Sequence, residues 1–171
     1  MHNVSIEKIH QPEREASSLS EAMENLAESV RLRAFDHFLA RGGAMGNDLD
    51  DWLLAERELV WIPNAKITEN DKQIKLRLHA PELEPDHIKV TAMPDSILVQ
   101  AEVSRKQAVS NGKERFCESA AKMVRRFQLP EAINLDKVSA TLNKGILQIT
   151  AAKEKVRSKG IAARAAAGAH A

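Results

Sequence analysis

The residues able to make or break bonds are few, and they do not gather in the sequence. Cys117 is the single thiol. A nucleophilic thiolate needs a neighbouring base or cation to lower its pKa. No base accompanies Cys117 locally, so a structural or incidental role is favoured, with a disulfide across a dimer axis as the minor alternative. Six histidines are scattered without a metal-binding spacing such as His-x-x-x-His. His79 and His87 flank a turn and read as ordinary surface or strand-end residues rather than pH sensors. Asp50 and Asp51 are adjacent, and adjacent side chains on a helix diverge, so they read as partners of a helix N-terminus and not as an acid–base pair. The phosphate-cradling pattern Gly-x-x-x-x-Gly-Lys-Ser/Thr is missing, so ATP use is not indicated. The expectation is no catalytic residue, no metal and no cofactor.

Composition sets further bounds. The chain has room for one sizeable domain or two small ones. No run approaches a membrane span, and the first residues lack the apolar core of a secretory signal. One cysteine fits a reducing cytoplasm. Net charge is +1, which gives no case for nucleic acid. The charge is unevenly placed: residues 1–60 carry −6 and residues 61–171 carry +7. This is either two differently composed segments or an acidic half that docks on a basic half, and surface charge pairs alone contribute little.

Residues 1–17 are polar with no clear period and read as a mobile arm. Ser18-Leu19-Ser20-Glu21 has the form of a capping box. Met23, Leu26, Val30, Ala34 and Phe38 then recur every three or four residues, the stripe of an amphipathic helix. Gly42-Gly43 ends it. Asn47 can cap a second helix, with Asp48, Asp50 and Asp51 at its positive end and Trp52, Ala55 and Leu59 on one side. The expected unit is a helical module over 18–60. Within it Arg33, Ala34, Phe35, Gly42, Gly46, Asp51, Trp52, Ala55 and Glu56 resemble a short bacterial module of unassigned function. Phe38 and Trp52 suit either a small helical core or a contact surface.

Trp61-Ile62-Pro63-Asn64 breaks the helix, and beyond it the apolar period changes from near 3.6 to 2. Ile74, Leu76 and Leu78 alternate with polar residues, as do Ile88, Val90 and Ala92. Pro81, Pro85 and Pro94 punctuate as turns. Strands follow at Ile97–Ala101 and Met123–Leu129. Val138, Ala140 and Leu142 alternate again, Asn143-Lys144-Gly145 supplies a turn, and Ile146, Leu147 and Ile149 restart the run. Short strands at this spacing predict an antiparallel sandwich over 61–152. Val103 to Ala121 is long and polar for a connection. From Lys153 a basic, then Ala-rich, stretch reads as a flexible tail over 153–171.

The spacing of Ala140, Gly145, Leu147 and Ile149 resembles the closing signature of the α-crystallin domain of small heat-shock proteins. Lys66-Ile67-Thr68-Glu69 is similar to that family's first strand, Ala80-Pro81-Glu82-Leu83 stands where it has Leu-Pro-Gly-Val, and Arg125-Arg126-Phe127-Gln128-Leu129-Pro130 resembles its Arg-x-Phe-x-Leu-Pro landmark. The order and spacing of these landmarks over roughly 90 residues make the resemblance specific.

The resemblance implies a mainly β, immunoglobulin-like sandwich, preceded here by the helical hairpin and followed by the tail. It implies an ATP-independent holdase for non-native client proteins, with a co-chaperone-like binding module for one fixed partner as the alternative. A groove between two strands would be lined by Ile88, Val90, Val138, Ala140 and Leu142; alternation alone leaves a groove and a plain core face equally open. The long connection, with Arg115, Phe116 and Cys117, would carry a strand that exchanges between subunits of a homodimer, an unpaired surface loop being the alternative. Phe35, Phe38, Trp52 and Leu53 would contact clients or build larger homo-oligomers. The family's tail motif Ile-x-Ile or Ile-x-Val is absent, Ile161-Ala162-Ala163 being at best a degenerate form, which puts large cages in doubt. No nucleic acid, membrane or metal partner is implied.

Overall fold

The computed structural model describes the backbone of residues 1–107 and 117–154. In chain order its elements are β1 (His2–Asn3), β2 (Ile6–Lys8), α1 (Pro12–Ala40), α2 (Asp48–Leu59), β3 (Ala65–Glu69), β4 (Gln73–His79), β5 (Ile88–Ala92), β6 (Ser96–Gln107), β7 (Cys117–Gln128), β8 (Ile133–Asn143) and β9 (Ile146–Lys153). The strands form two sheets, ordered β1-β8-β9-β4-β3 and β2-β5-β6-β7. Their facing sides make the main core: Ile74, Leu76 and Leu78 from β4, Val90 from β5, Ile97 and Val99 from β6, and Leu147 and Ile149 from β9, all at most 1% exposed. This is the antiparallel sandwich expected from the period-two pattern, with β2 as a parallel addition to β5.

The helical hairpin lies on the outer side of the second sheet and makes a third layer. Met93 and Leu98 point away from the main core, yet both are fully buried, packed with Ile9, Leu19 and Val124. A second small cluster joins Val30 of α1 to Ala55 and Leu59 of α2. The two helices also clasp through charge. Arg41 donates twice to Asp51 from its Nε (3.0 Å to each oxygen) and once from Nη2 at 2.7 Å, and Arg33 donates to Glu58 at 2.7 Å. Val60 bridges to Lys122 of β7, and the Trp61 amide donates to the Lys122 carbonyl at 3.0 Å, so the end of α2 is stitched to the sheet.

Three expectations about boundaries change. Helix α1 begins at Pro12, six residues before the Ser18 capping box. Proline suits a first helical position, where its missing N–H has no partner to lose, and residues 13–17 add no residue that stops a helix. The expected mobile arm is therefore partly helix, and its first residues form β1 and β2. Lys153, expected to open the tail, ends β9 with its ammonium held by Glu131 at 2.8 Å and Glu69 at 3.1 Å. Asn47 does stand at the N-cap of α2, but its side chain makes no capping bond.

The β8–β9 turn shows why its residues are spaced as they are. Asn143 pairs with Ile146, leaving Lys144 (φ 47°) and Gly145 (φ 74°) as a two-residue loop with both φ positive, the requirement of a type I′ turn. The turn packs on Pro81: a Cβ on Gly145 would lie 2.5 Å from the Pro81 Cα. The Ala80 amide donates to the Gly145 carbonyl at 2.6 Å. Glycine is thus required twice, by conformation and by contact. Gly145→Ala should cost more than about 1 kcal/mol. In urea, its unfolding midpoint should drop with an unchanged slope; an unmoved midpoint would contradict this reading of the turn.

Candidate functional site

The five residues expected to line a groove come from strands on opposite sheets. Ile88 and Val90 of β5, and Ala140 and Leu142 of β8, are all buried, and Val138 packs against them half-buried. Strand β5 is next to last in its sheet and β8 next to last in the other. What completes both sheets at this side is the N-terminus. His2 and Asn3 pair antiparallel with Leu142 and Thr141. The Val4 amide donates to the Ala140 carbonyl at 3.0 Å. The chain then crosses to the other sheet, where Ile6, Glu7 and Lys8 pair in parallel with Val90, Thr91 and Ala92. The Ile9 amide closes the run on the Ala92 carbonyl at 3.0 Å.

Val4 is 6% exposed and belongs to the main core, with Ile6 packed against it. Residues 2–9 thus run along both strand edges, beside residues that belong to or pack on the main core. Polar support is thin and lies at the surface: Glu7 meets Lys89 at 3.1 Å, and Lys8 meets Asp136 at 3.8 Å, all with exposed side chains. Sequence reading missed this strap because each of its strands is only two or three residues long. The available signal was Val4-Ser5-Ile6, two apolar residues flanking a polar one.

The helical residues divide. Phe35 is 54% exposed and stacks on Phe38 with ring centroids 5.9 Å apart; Phe38 is half-buried beneath Arg41, whose guanidinium lies 5.2 Å from the ring centre. Trp52 and Leu53 lie at the surface of α2. Sequence reading passed over Leu32 and Leu39, which are 53% and 56% exposed and share the Phe35 side of α1 by their spacing of three and four. Arg115 and Phe116 fall outside the described residues, as does the Cys117 side chain. His79 and His87 are exposed. Among the described residues no group of three acidic, histidine or cysteine side chains is arranged to hold a metal. No helix among them is long and apolar enough to cross a membrane.

Residues 66–164 match the Hsp20/alpha crystallin family model. The chain belongs to that family. Residues 26–60 match a second model, described as a protein of unknown function (DUF2934), which covers much of the hairpin. A 17.8 kDa class I heat shock protein of Solanum lycopersicum is 30% identical over 125 residues, spanning 72% of this chain and 77% of that one. A probable 15 kDa heat shock protein of Leptospira interrogans is 27% identical over 64% of this chain and 83% of its own. Among solved structures, a small heat-shock protein from Xylella fastidiosa is 25% identical over 55% of this chain and 87% of its own, with a TM-score of 0.45. Family membership fits a chaperone role in the stress response, and the family's landmarks acquire local reasons here. Ala140, Leu147 and Ile149 are core, and Gly145 is the turn. Arg125 donates to the Pro63 carbonyl at 3.2 Å and covers the Phe127 ring at 4.8 Å, while Phe127 and Leu129 are buried.

The shared hairpin module also has a physical role in this chain. Asp51 is buried at the start of α2 and carries the Arg41 clasp. Hydrogen bonding from Arg41 holds its carboxyl below the usual aspartate range, against the opposing effect of burial. A depressed carboxyl pKa stabilises the folded form above the unfolded value, and that stabilisation is lost as pH falls through the folded value. Asp51→Asn should therefore melt at a lower temperature than the wild type at neutral pH. The gap should close as pH drops below about 4, where unfolded aspartates protonate. A gap that stays constant down to acid pH would remove the clasp from the account.

Proposed function

We propose that the protein is an ATP-independent holdase, binding partly unfolded proteins and limiting their aggregation under stress. The observation that carries this reading is the apolar stripe of Leu32, Phe35 and Leu39 on α1, each more than half exposed. Non-native chains expose apolar surface and unpaired strand edges, and aggregate through them. A stripe of this kind offers them an apolar contact, and capture of the unfolded chain lowers its free concentration by mass action. Neither step needs bond chemistry. Phe38, Trp52 and Leu53 flank or extend the same contact, and the groove at Ile88, Val90, Val138, Ala140 and Leu142 is its second surface. The setting is the cytoplasm, in keeping with a single cysteine.

We propose the working subunit as a homodimer formed by strand exchange, with larger homo-oligomers built on it. The supporting feature is β3. Among the described residues it pairs only with β4, and four of its five residues are exposed. An open edge is a pairing template. The segment assigned to it is the connection between β6 and β7, which includes Arg115 and Phe116; the structure puts Cys117, expected in that connection, at the start of β7, paired with Gln107. We further assign two units: a helical module built on α1 and α2, and a sandwich whose last strand ends at Lys153.

Two measurements test this. Leu32→Ser/Phe35→Ser/Leu39→Ser should cut protection of two unrelated heat-labile clients several-fold without ATP, while the melting temperature holds, because the three side chains already face water. Undiminished protection would move client capture elsewhere. Deleting Asn111–Glu118 should convert dimer to monomer in light scattering, and an unchanged dimer would sink the exchange.

A further inference from the structure

We propose that residues 155–171 dock in cis on the outer face of α2, a basic segment laid on an acidic and apolar helix. This goes beyond the holdase reading and does not depend on it. Helix α2 turns Asp51, Ala55 and Leu59 inward. Leu49, Trp52 and Leu53 lie roughly 60–160° round the helix from Ala55, at 3.6 residues per turn. They are 69%, 38% and 44% exposed. Asp48, Asp50 and Glu56 stand three or four residues from Trp52 and Leu53, so they border this stripe, and all three are exposed. Of the six charged residues of α2 five are acidic, Arg57 being the exception. Asp51 and Glu58 are taken by Arg41 and Arg33 of the hairpin itself. Among the described residues Asp50 and Glu56 make no ion pair, and Asp48 only a long one, at 3.9 Å to Arg41.

Charge, length and origin name the occupant. The +7 of residues 61–171 is concentrated beyond Glu154, where Lys155, Arg157, Lys159 and Arg164 stand in a stretch with no acid. A net +4 thus meets the net −4 of α2. Val156 and Ile161 lie among these bases and give the stretch apolar side chains to set on Leu49, Trp52 and Leu53. A second copy of the hairpin would instead bring acid against acid, which is repulsive. The stretch leaves the fold just after β9, where the Glu154 amide donates to the Ala132 carbonyl at 2.8 Å. Its seventeen residues reach up to about 60 Å when extended. The layers to be passed are roughly 10 Å apart, so the outer face of the hairpin is within reach. Single surface ion pairs contribute little. The tether compensates, since it sets an effective concentration on the order of millimolar, and a contact of that intrinsic strength is already occupied half of the time.

Trp52 sits on this face and reports on it. The test uses the full-length chain with Cys117→Ser and Ser158→Cys, carrying at position 158 a nitroxide that quenches an indole on contact. At low salt this protein should fluoresce less than the same protein with its label chemically reduced. Trp52→Phe should abolish the difference, leaving Trp61 as the control. Salt at about 1 M, where the screening length falls to about 3 Å, should shrink the difference several-fold. Asp50→Asn/Glu56→Gln, at two exposed sites, should shrink it too, as should Lys155→Glu/Lys159→Glu, which leaves the described fold untouched. Equal fluorescence in the two label states overturns the docking. A difference that survives Trp52→Phe puts the segment at Trp61 and overturns the site. A difference indifferent to salt and to both charge variants overturns the charge recognition. Mixing with an excess of unlabelled chain tests the tether: quenching per labelled chain should hold, and its loss would make a second copy's segment the occupant and overturn docking in cis.

Discussion

The structure depends on how the free edges of two sheets are closed. A strand edge exposes a row of unpaired amides and carbonyls, and a sandwich of open sheets has four such edges. Here they are treated in three ways. On one side a single N-terminal run pairs with both β8 and β5, and it joins the sheets as it crosses between them. The edge of β7 is partly covered by the end of α2 through Val60 and Trp61. Among the described residues β3 has no partner beyond β4. Apolar burial between the sheets supplies the bulk of the stabilisation, but edge closure decides which surfaces are available to other chains.

The proposed function follows from that distribution. The outer edge of β3 is assigned to a second subunit, the groove to clients, and the helical layer presents a stripe of Leu32, Phe35 and Leu39 outside both. The hairpin does not float free of the sandwich. It buries Leu98 and Met93 and is tied to β7, and Ile9 packs in the same cluster as Leu19 of α1 while its amide bonds to β5.

Much of the sandwich was legible because its strands are half-buried and alternate cleanly, as in Ile74, Leu76 and Leu78. The β8–β9 turn was legible because positive φ leaves glycine as the favoured residue. The third layer was only partly legible. Strand β6 shows a nearly continuous buried run at Ile97, Leu98 and Val99, and a helix covering its outer face is the reason, which periodicity alone does not reveal. The start of α1 was misplaced because residues 12–17 carry no apolar stripe, while Pro12 suits the first turn. The groove was ambiguous for a plainer reason. Ile88, Val90, Ala140 and Leu142 look the same whether a second sheet or a strap covers them, and the strap comes from more than eighty residues earlier in the chain. Its strands are too short to have a period.

The central claim is that the N-terminal strap closes two sheet edges and can open without unfolding the sandwich. Hydrogen exchange on the intact protein tests it most directly, at the amides of Val4 and Ile9, whose partners are the carbonyls of Ala140 and Ala92. The account predicts exchange slower than an unstructured amide yet clearly faster than at Leu76, which pairs with Ile149 inside the five-stranded sheet. Unprotected amides at Val4 and Ile9 would mean that the strap does not hold the edges. Exchange as slow as at Leu76 would mean that it never lets go without global unfolding, and either result would contradict the account.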